Sequence, residues 1–164
     1  MLAKTGLTIG EHQVRTVENY LELRSLAPDL PFVPVLQGWS SDDYHRCVEL
    51  YQRVGVELAA EPLVGVGSVC RRQATGEIEA IVHSLASIGI RLHGFGVKAG
   101  GLVRYADCLV SADSLAWSFE ARRSAPLPGC VHANCANCLR YAAAWRERTL
   151  ARLDVLQMHL PLAV

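Results

Sequence analysis

Along the chain, short unbroken apolar runs alternate with longer stretches in which apolar residues recur every three or four positions, the rhythm of βα units. The first amphipathic stretch, EHQVRTVENYLELRSL, sets Val14, Val17, Leu21 and Leu23 near one face and predicts a helix that stops before APDLP. FVPVLQG predicts a strand. SSDDYHRCVELYQRVG opens with serine and aspartate suited to capping, spaces Tyr44, Cys47, Val48 and Tyr51 as a helix does, and ends at Gly55. Beyond it, VELAAEPLVGVG predicts a strand, ATGEIEAIVHSLASIG a helix closing on Gly89, IRLHGFGVK a strand, GGLVRYA a short helix and DCLVSADSLAW a fourth strand. The last long helix is CANCLRYAAAWRERTLARLDVLQMHL, rich in Ala, Leu and Arg.

Four strands, each followed by a helix, with apolar strand interiors, predict an α/β fold with a parallel sheet covered by helices. The pattern is half of a (β/α)8 barrel, about four βα units. A full barrel takes about 250 residues, and this chain has 164. The expectation is a partial barrel domain over 1–164, in which 130–164 form a zinc-bearing helical segment. Met1 stands directly before a loop and a helix, so the front half of the barrel is expected to be missing, and to come from upstream sequence, a partner chain or a second copy in a homo-oligomer.

Half the residues are apolar, 51%, enough for one globular core. Sixteen basic residues balance sixteen acidic ones, so overall charge favours no nucleic-acid or membrane partner, although a local basic stripe remains compatible with it. The N-terminus lacks a secretory h-region and no segment offers eighteen uninterrupted apolar residues; a cytoplasmic chain with no membrane partner is expected. Of the six cysteines, Cys47, Cys70 and Cys108 stand singly among apolar segments and read as small hydrophobes, not as a disulfide framework.

In parallel α/β sheets functional groups gather at the carboxyl ends of the strands. The polar residues assigned there are Gln37, Glu61, Lys98 and Asp113. Gln37 can donate and accept, Gly38 permits close approach of a planar ligand, and Trp39 can stack on one, a combination that suits a nucleobase. Gly65 and Gly67 bring backbone amides near a ligand or simply make a turn, and Arg71 and Arg72 meet a phosphate or solvent. Asp113 can attack a sugar anomeric carbon, with Arg122 and Arg123 holding a nucleic-acid backbone, or it can cap the next helix.

The densest chemistry is CVHANCANC. Cys130, His132, Cys135 and Cys138 form C-x-H-x2-C-x2-C, a density of thiolate and imidazole that suits a structural tetrahedral zinc. A redox Cys-x-x-Cys would need neither Cys130 nor His132.

Together these stretches resemble the tRNA-guanine (queuine) transglycosylase superfamily, most closely its deazapurine-in-DNA modification branch, DeoxyPurine in DNA protein A. The pieces that carry the resemblance are TGLTIGEHQVRTVENYLELR, FVPVLQGWSSDDY, AAEPLVGVGSVCRRQ, LHGFGVK, ADSLAWSFEARR and NCANCLRYAAAWRERTL. It implies that Gln37 and Gly38 contact the purine and that the region from Glu61 to Gly67, including Gly65, contacts the exchanged base. It implies zinc held by Cys135, Cys138 and a distal His159, with His132 preferred over Cys130 as the remaining ligand because it lies nearer the pair. The family's first cysteine falls on Ala133 here, and a strict match of the nucleophile falls on Ala116, so Asp113 takes the nucleophilic role. The implied reaction exchanges guanine for a 7-deazaguanine base, in DNA in preference to tRNA, through a covalent glycosyl-enzyme intermediate. A noncatalytic zinc-stabilised nucleic-acid-binding or assembly module, or an inactive fragment, is the second reading.

Overall fold

The computed structural model describes residues 5–70, 72 and 74–158. In chain order these form α1 (Ile9–Leu26), β1 (Val35–Leu36), α2 (Ser41–Arg53), β2 (Val64–Val66), α3 (Gly76–Ser87), β3 (Leu92–Gly94), α4 (Ala99–Tyr105), a 3-10 turn (Ala106–Cys108), β4 (Leu109–Ala112), α5 (Ala116–Ala121) and α6 (Leu139–Met158). The four strands make one parallel sheet in the order β1-β2-β3-β4. Sequential parallel strands with helices between them are successive units of a βα barrel, and four units make half of one.

Local chemistry fixes the helix starts. Thr8 and Glu11 form a capping box on α1, and Ser40 and Asp43 form another on α2, each satisfying orphan amides at the first turn. Gly55 and Gly89, at φ +78° and +84°, take the left-handed conformation just beyond α2 and α3, which an L side chain would resist. Tyr44, Cys47, Val48 and Tyr51 of α2 and Ile78, Ile81, Val82 and Leu85 of α3 pack on Leu36, Val64, Val66 and Leu92 of the sheet to make the main core. The helical spacing in the sequence is realised in both helices.

On α1 the buried face differs from the predicted one. Gln13, Val17 and Tyr20 are buried, whereas Val14 and Leu23 are more than 40% exposed. Gln13 takes the core position because its Nε2 donates to the carbonyls of Gln37 and Asp43, both at 2.7 Å, tying the end of β1 to the start of α2.

The predicted strands shrink. VELAAEP is not strand: Ala60 N–H donates to Glu57 O at 2.9 Å and Glu61 N–H to Leu58 O at 3.3 Å, so the chain turns there and β2 begins only at Val64. The DCLVSADSLAW segment splits into the end of the 3-10 turn, β4 and the start of α5. Across the sheet, Val35, Gly65, His93 and Ser111 are register partners. Two residues on, Gln37, Gly67, Phe95 and Asp113 fall on the same side, opposite the helix-covered core. The register shift between β3 and β4 leaves Val110 as an extra residue, 62% exposed, as a β-bulge does.

Candidate active site and metal centre

Asp113 stands one residue beyond β4, at its carboxyl end. It does not cap the helix that follows: α5 has Leu115 at its N-cap and no side-chain capping bond. The Asp113 carboxylate turns back over the sheet, where Oδ1 accepts the Gly96 amide at 2.6 Å. Gly96 has φ +65°, and a Cβ there would come within 3.0 Å of the Cys70 Cβ, so glycine both allows the turn and lets the loop after β3 lie against the loop after β2. In the loop after β2, Ser68 sits at φ +63°, a conformation that costs an L residue energy.

His93, in the middle of β3, completes this group. Its Nε2 lies 3.7 Å from Asp113 Oδ2 and its Nδ1 2.8 Å from Ser111 Oγ, while its ring meets Phe95 edge to face at 4.8 Å between centroids. His93 is not among the strand-end residues that the sequence pattern points to. The available signal was a histidine flanked by apolar residues and glycines in LHGFG, a position where a parallel strand otherwise carries a hydrophobe.

Gln37 reaches the same side of the sheet, where its Nε2 donates to Thr16 Oγ1 at 3.1 Å. Of the three glycines expected to bring backbone near a ligand, Gly38 and Gly65 are packed closely against protein. A Cβ on Gly38 would lie 2.8 Å from Asp43 Cβ, and one on Gly65 would lie 2.3 Å from Phe95 Cε2; close packing of α2 and of the Phe95 ring explains them. Glu61 lies at the amino end of β2, not the carboxyl end, because the chain turns before the strand begins. There it faces Arg24 at 3.4 Å, away from Asp113. Lys98 is the exposed N-cap residue of α4, in the loop that follows β3.

Two exposed aromatics, Trp39 in the loop after β1 and Phe119 in α5, carry guanidinium groups on their faces. Arg72 stacks on Trp39 at 4.0 Å and donates to the Trp39 carbonyl at 2.7 Å, and Arg123 stacks on Phe119 at 3.5 Å. Trp39 and Phe119 are each 59% exposed. Arg72 also pairs with Glu77, which meets its charge; a cation beside an aromatic face is the combination that holds a phosphate backbone and stacks on a base.

Four residues that could hold a metal ion converge near the start of α6. One ligand atom from each of Cys130, His132, Cys135 and Cys138 lies within 4.8 Å of all the others. Both residues between which the sequence left a choice are therefore in the cluster; His159 lies outside the described residues. Cys138 immediately precedes α6, and the backbone amides of Tyr141 and Arg140 draw its thiol below the usual range, against the effect of burial. Burial, then the neighbouring Cys135 and Cys138, pushes the Cys130 thiol up. Leu127 N–H donates to Cys135 Sγ at 3.3 Å, outer-shell support of the kind metal thiolates carry. Tetrahedral zinc with bonds of about 2.3 Å to sulfur and 2.0 Å to nitrogen separates its ligands by about 3.5–3.8 Å, so three thiols and an imidazole already gathered within 4.8 Å fit such an ion.

The cluster is joined to the segment that follows β4 and Asp113. Cys130, Cys135 and Cys138 pack with Trp117, Ala121, Leu127, Tyr141 and Trp145 in a second core. Glu120 on α5 accepts Tyr141 Oη at 2.9 Å, Trp145 Nε1 at 3.1 Å and Arg148 Nη2 at 3.4 Å. Helix α5, three residues beyond Asp113, is thus fastened to the helix that the cysteine cluster begins.

No helix among the described residues is long and apolar enough to cross a membrane. Neither the curated proteins nor the solved structures contain a match for this chain. The sequence pattern of the family described as DpdA, DeoxyPurine in DNA protein A, matches residues 1–162, a span that includes β1 through β4, Asp113 and the whole cysteine cluster, and the chain belongs to that family.

Proposed function

We propose that the chain takes part in deazapurine modification of DNA as a transglycosylase, with Asp113 as nucleophile. The observation that carries this reading is the Asp113 carboxylate at the carboxyl end of β4, held by the Gly96 amide and sharing one side of the sheet with Gln37 and His93, in a chain of the DpdA family. The carboxylate attacks C1′ of a deoxyguanosine, the C1′–N9 bond breaks and guanine leaves, taking up a proton. A 7-deazaguanine base then attacks C1′ through N9, loses its N9 proton and releases Asp113. Dividing the displacement into two steps is what a covalent intermediate supplies. Reaching C1′ requires the target nucleotide to be turned out of the duplex, and the exposed Trp39 and Phe119 offer stacking for it, with Arg123 as a cation beside Phe119.

His93 is assigned to orient Asp113 and pass a proton at the departing base. Cys130, His132, Cys135 and Cys138 hold a structural zinc that braces α5 through α6. DNA is preferred to tRNA on the family membership. Because four βα units supply half of an eight-unit barrel, the reading includes completion of the barrel by front-half sequence or a second copy.

The test is incorporation of labelled guanine or 7-cyano-7-deazaguanine into duplex DNA and into tRNA, by the chain alone and with a front-half partner expressed beside it. Exchange into DNA that disappears in Asp113→Asn supports the proposal. Tight DNA binding without exchange in either setting would instead support a noncatalytic zinc-stabilised module.

A further inference from the structure

Cys108, which the sequence pattern reads as an isolated hydrophobe, is not isolated. It ends the 3-10 turn that feeds β4, and its Sγ lies 3.1 Å from His83 Nδ1 and 4.0 Å from His83 Nε2. His83 comes from the third turn of α3. One ligand atom each from His83, Asp107 and Cys108 falls within 4.8 Å of the other two. The His83–Cys108 separation equals that between His132 Nε2 and Cys135 Sγ, also 3.1 Å, in the cluster at the start of α6. No residue is shared between the two groups, and Cys108 stands at the amino end of β4 while Asp113 lies beyond its carboxyl end.

We propose that His83, Asp107 and Cys108 form a second site for a divalent transition metal, of the zinc or cobalt class. Thiolate and imidazole together select a borderline-soft ion and disfavour magnesium and calcium, which take all-oxygen sets. Glu79, one helical turn before His83, does not complete the set, because Arg104 holds its carboxylate at 2.6 Å. The site therefore offers three protein ligands and leaves a fourth position to water or a small anion. His83 and Asp107 are exposed and Cys108 is partly buried, so the ion enters from solvent. Its ligands come from α3 and from the turn before β4, and a bound ion would pin the edge strand to a helix of the main core from the end opposite Asp113.

The full chain, stripped by chelator under reducing conditions and titrated with Co2+ alone, tests this. A second Co2+ equivalent per chain is expected, with thiolate-to-cobalt absorption, beyond the one taken by the cluster at α6. His83→Ala, a change at an exposed helix position, and Asp107→Asn should each abolish the second equivalent and keep the first, while Cys138→Ser should remove the first and keep the second. Circular dichroism of each variant separates ligand loss from misfolding, and His83→Ala keeps the test open should Cys108→Ser fail to fold. A wild-type chain that takes a single equivalent, or a His83→Ala chain that still takes both, would overturn the site.

Discussion

The Asp113 carboxylate is fixed by the amide of Gly96, 2.6 Å away in the loop after β3, and not by the helix that follows it. Asparagine can accept that bond through Oδ1 but cannot form a glycosyl ester. Asp113→Asn should therefore keep its thermal midpoint and lose base exchange by on the order of 10³-fold or more. His93→Ala, which removes the group 3.7 Å from Oδ2, should lower turnover by about 10²-fold. Side-by-side melting curves and single-turnover exchange check both, and an active Asp113→Asn enzyme would end the nucleophile assignment.

Zinc content should depend on Cys130 as strongly as on Cys135. The sequence alone favours His132 and leaves Cys130 dispensable, but the two ligating atoms lie in one group with Cys135 and Cys138. Loss of one of four ligands should weaken zinc binding by at least about 10²-fold. Competition with a chromophoric chelator measures this for Cys130→Ala, His132→Ala and His159→Ala. Retention of wild-type affinity in Cys130→Ala, with loss in His159→Ala, would return the fourth place to His159.

Gly65→Ala should destabilise the fold by about 1–3 kcal/mol, because the added Cβ would meet the Phe95 ring. Phe95→Ala in the same chain should recover part of that cost, a coupling that urea titration of the double-mutant cycle reads directly. Additive losses would show that the ring is not what excludes the side chain.

Acid should loosen the start of α2 through Asp43. Burial opposes its ionisation, but the Ser40 and Trp39 amides, the Ser40 hydroxyl and Arg46 outweigh that and hold the carboxyl below the usual range. A folded-state value depressed below the unfolded one of about 3.9 means the stabilisation is present above that pH and is lost as pH falls through the folded value. Asp43→Asn should flatten the low-pH limb of the stability curve, which thermal melts between neutral pH and about pH 3 follow.

What the sequence made legible was what depends on neighbours along the chain. Helix α2 and helix α3 follow from spacing and glycine stops, and the cysteine cluster from four ligands within nine residues. Contacts across the sheet were less visible. Gln13 is buried because two carbonyls distant in sequence converge on it, which turns the buried face of α1 away from Val14 and Leu23 while keeping Val17 inside. Glu61 follows from a turn that an apolar-looking run concealed, and His93 gains its partners only when β3 and β4 come into register.

The hydroxyl of Tyr51 accepts the Val35 N–H at 3.1 Å and donates to the Val35 carbonyl at 3.3 Å. Those two backbone groups lie on the flank of β1 away from β2, where an unprotected strand would template the addition of another chain. One buried phenol, inserted from a helix, thus holds both pairing groups of Val35 on the flank where a completing half of the barrel would join, so a strand docking there must take over both bonds from the Tyr51 hydroxyl.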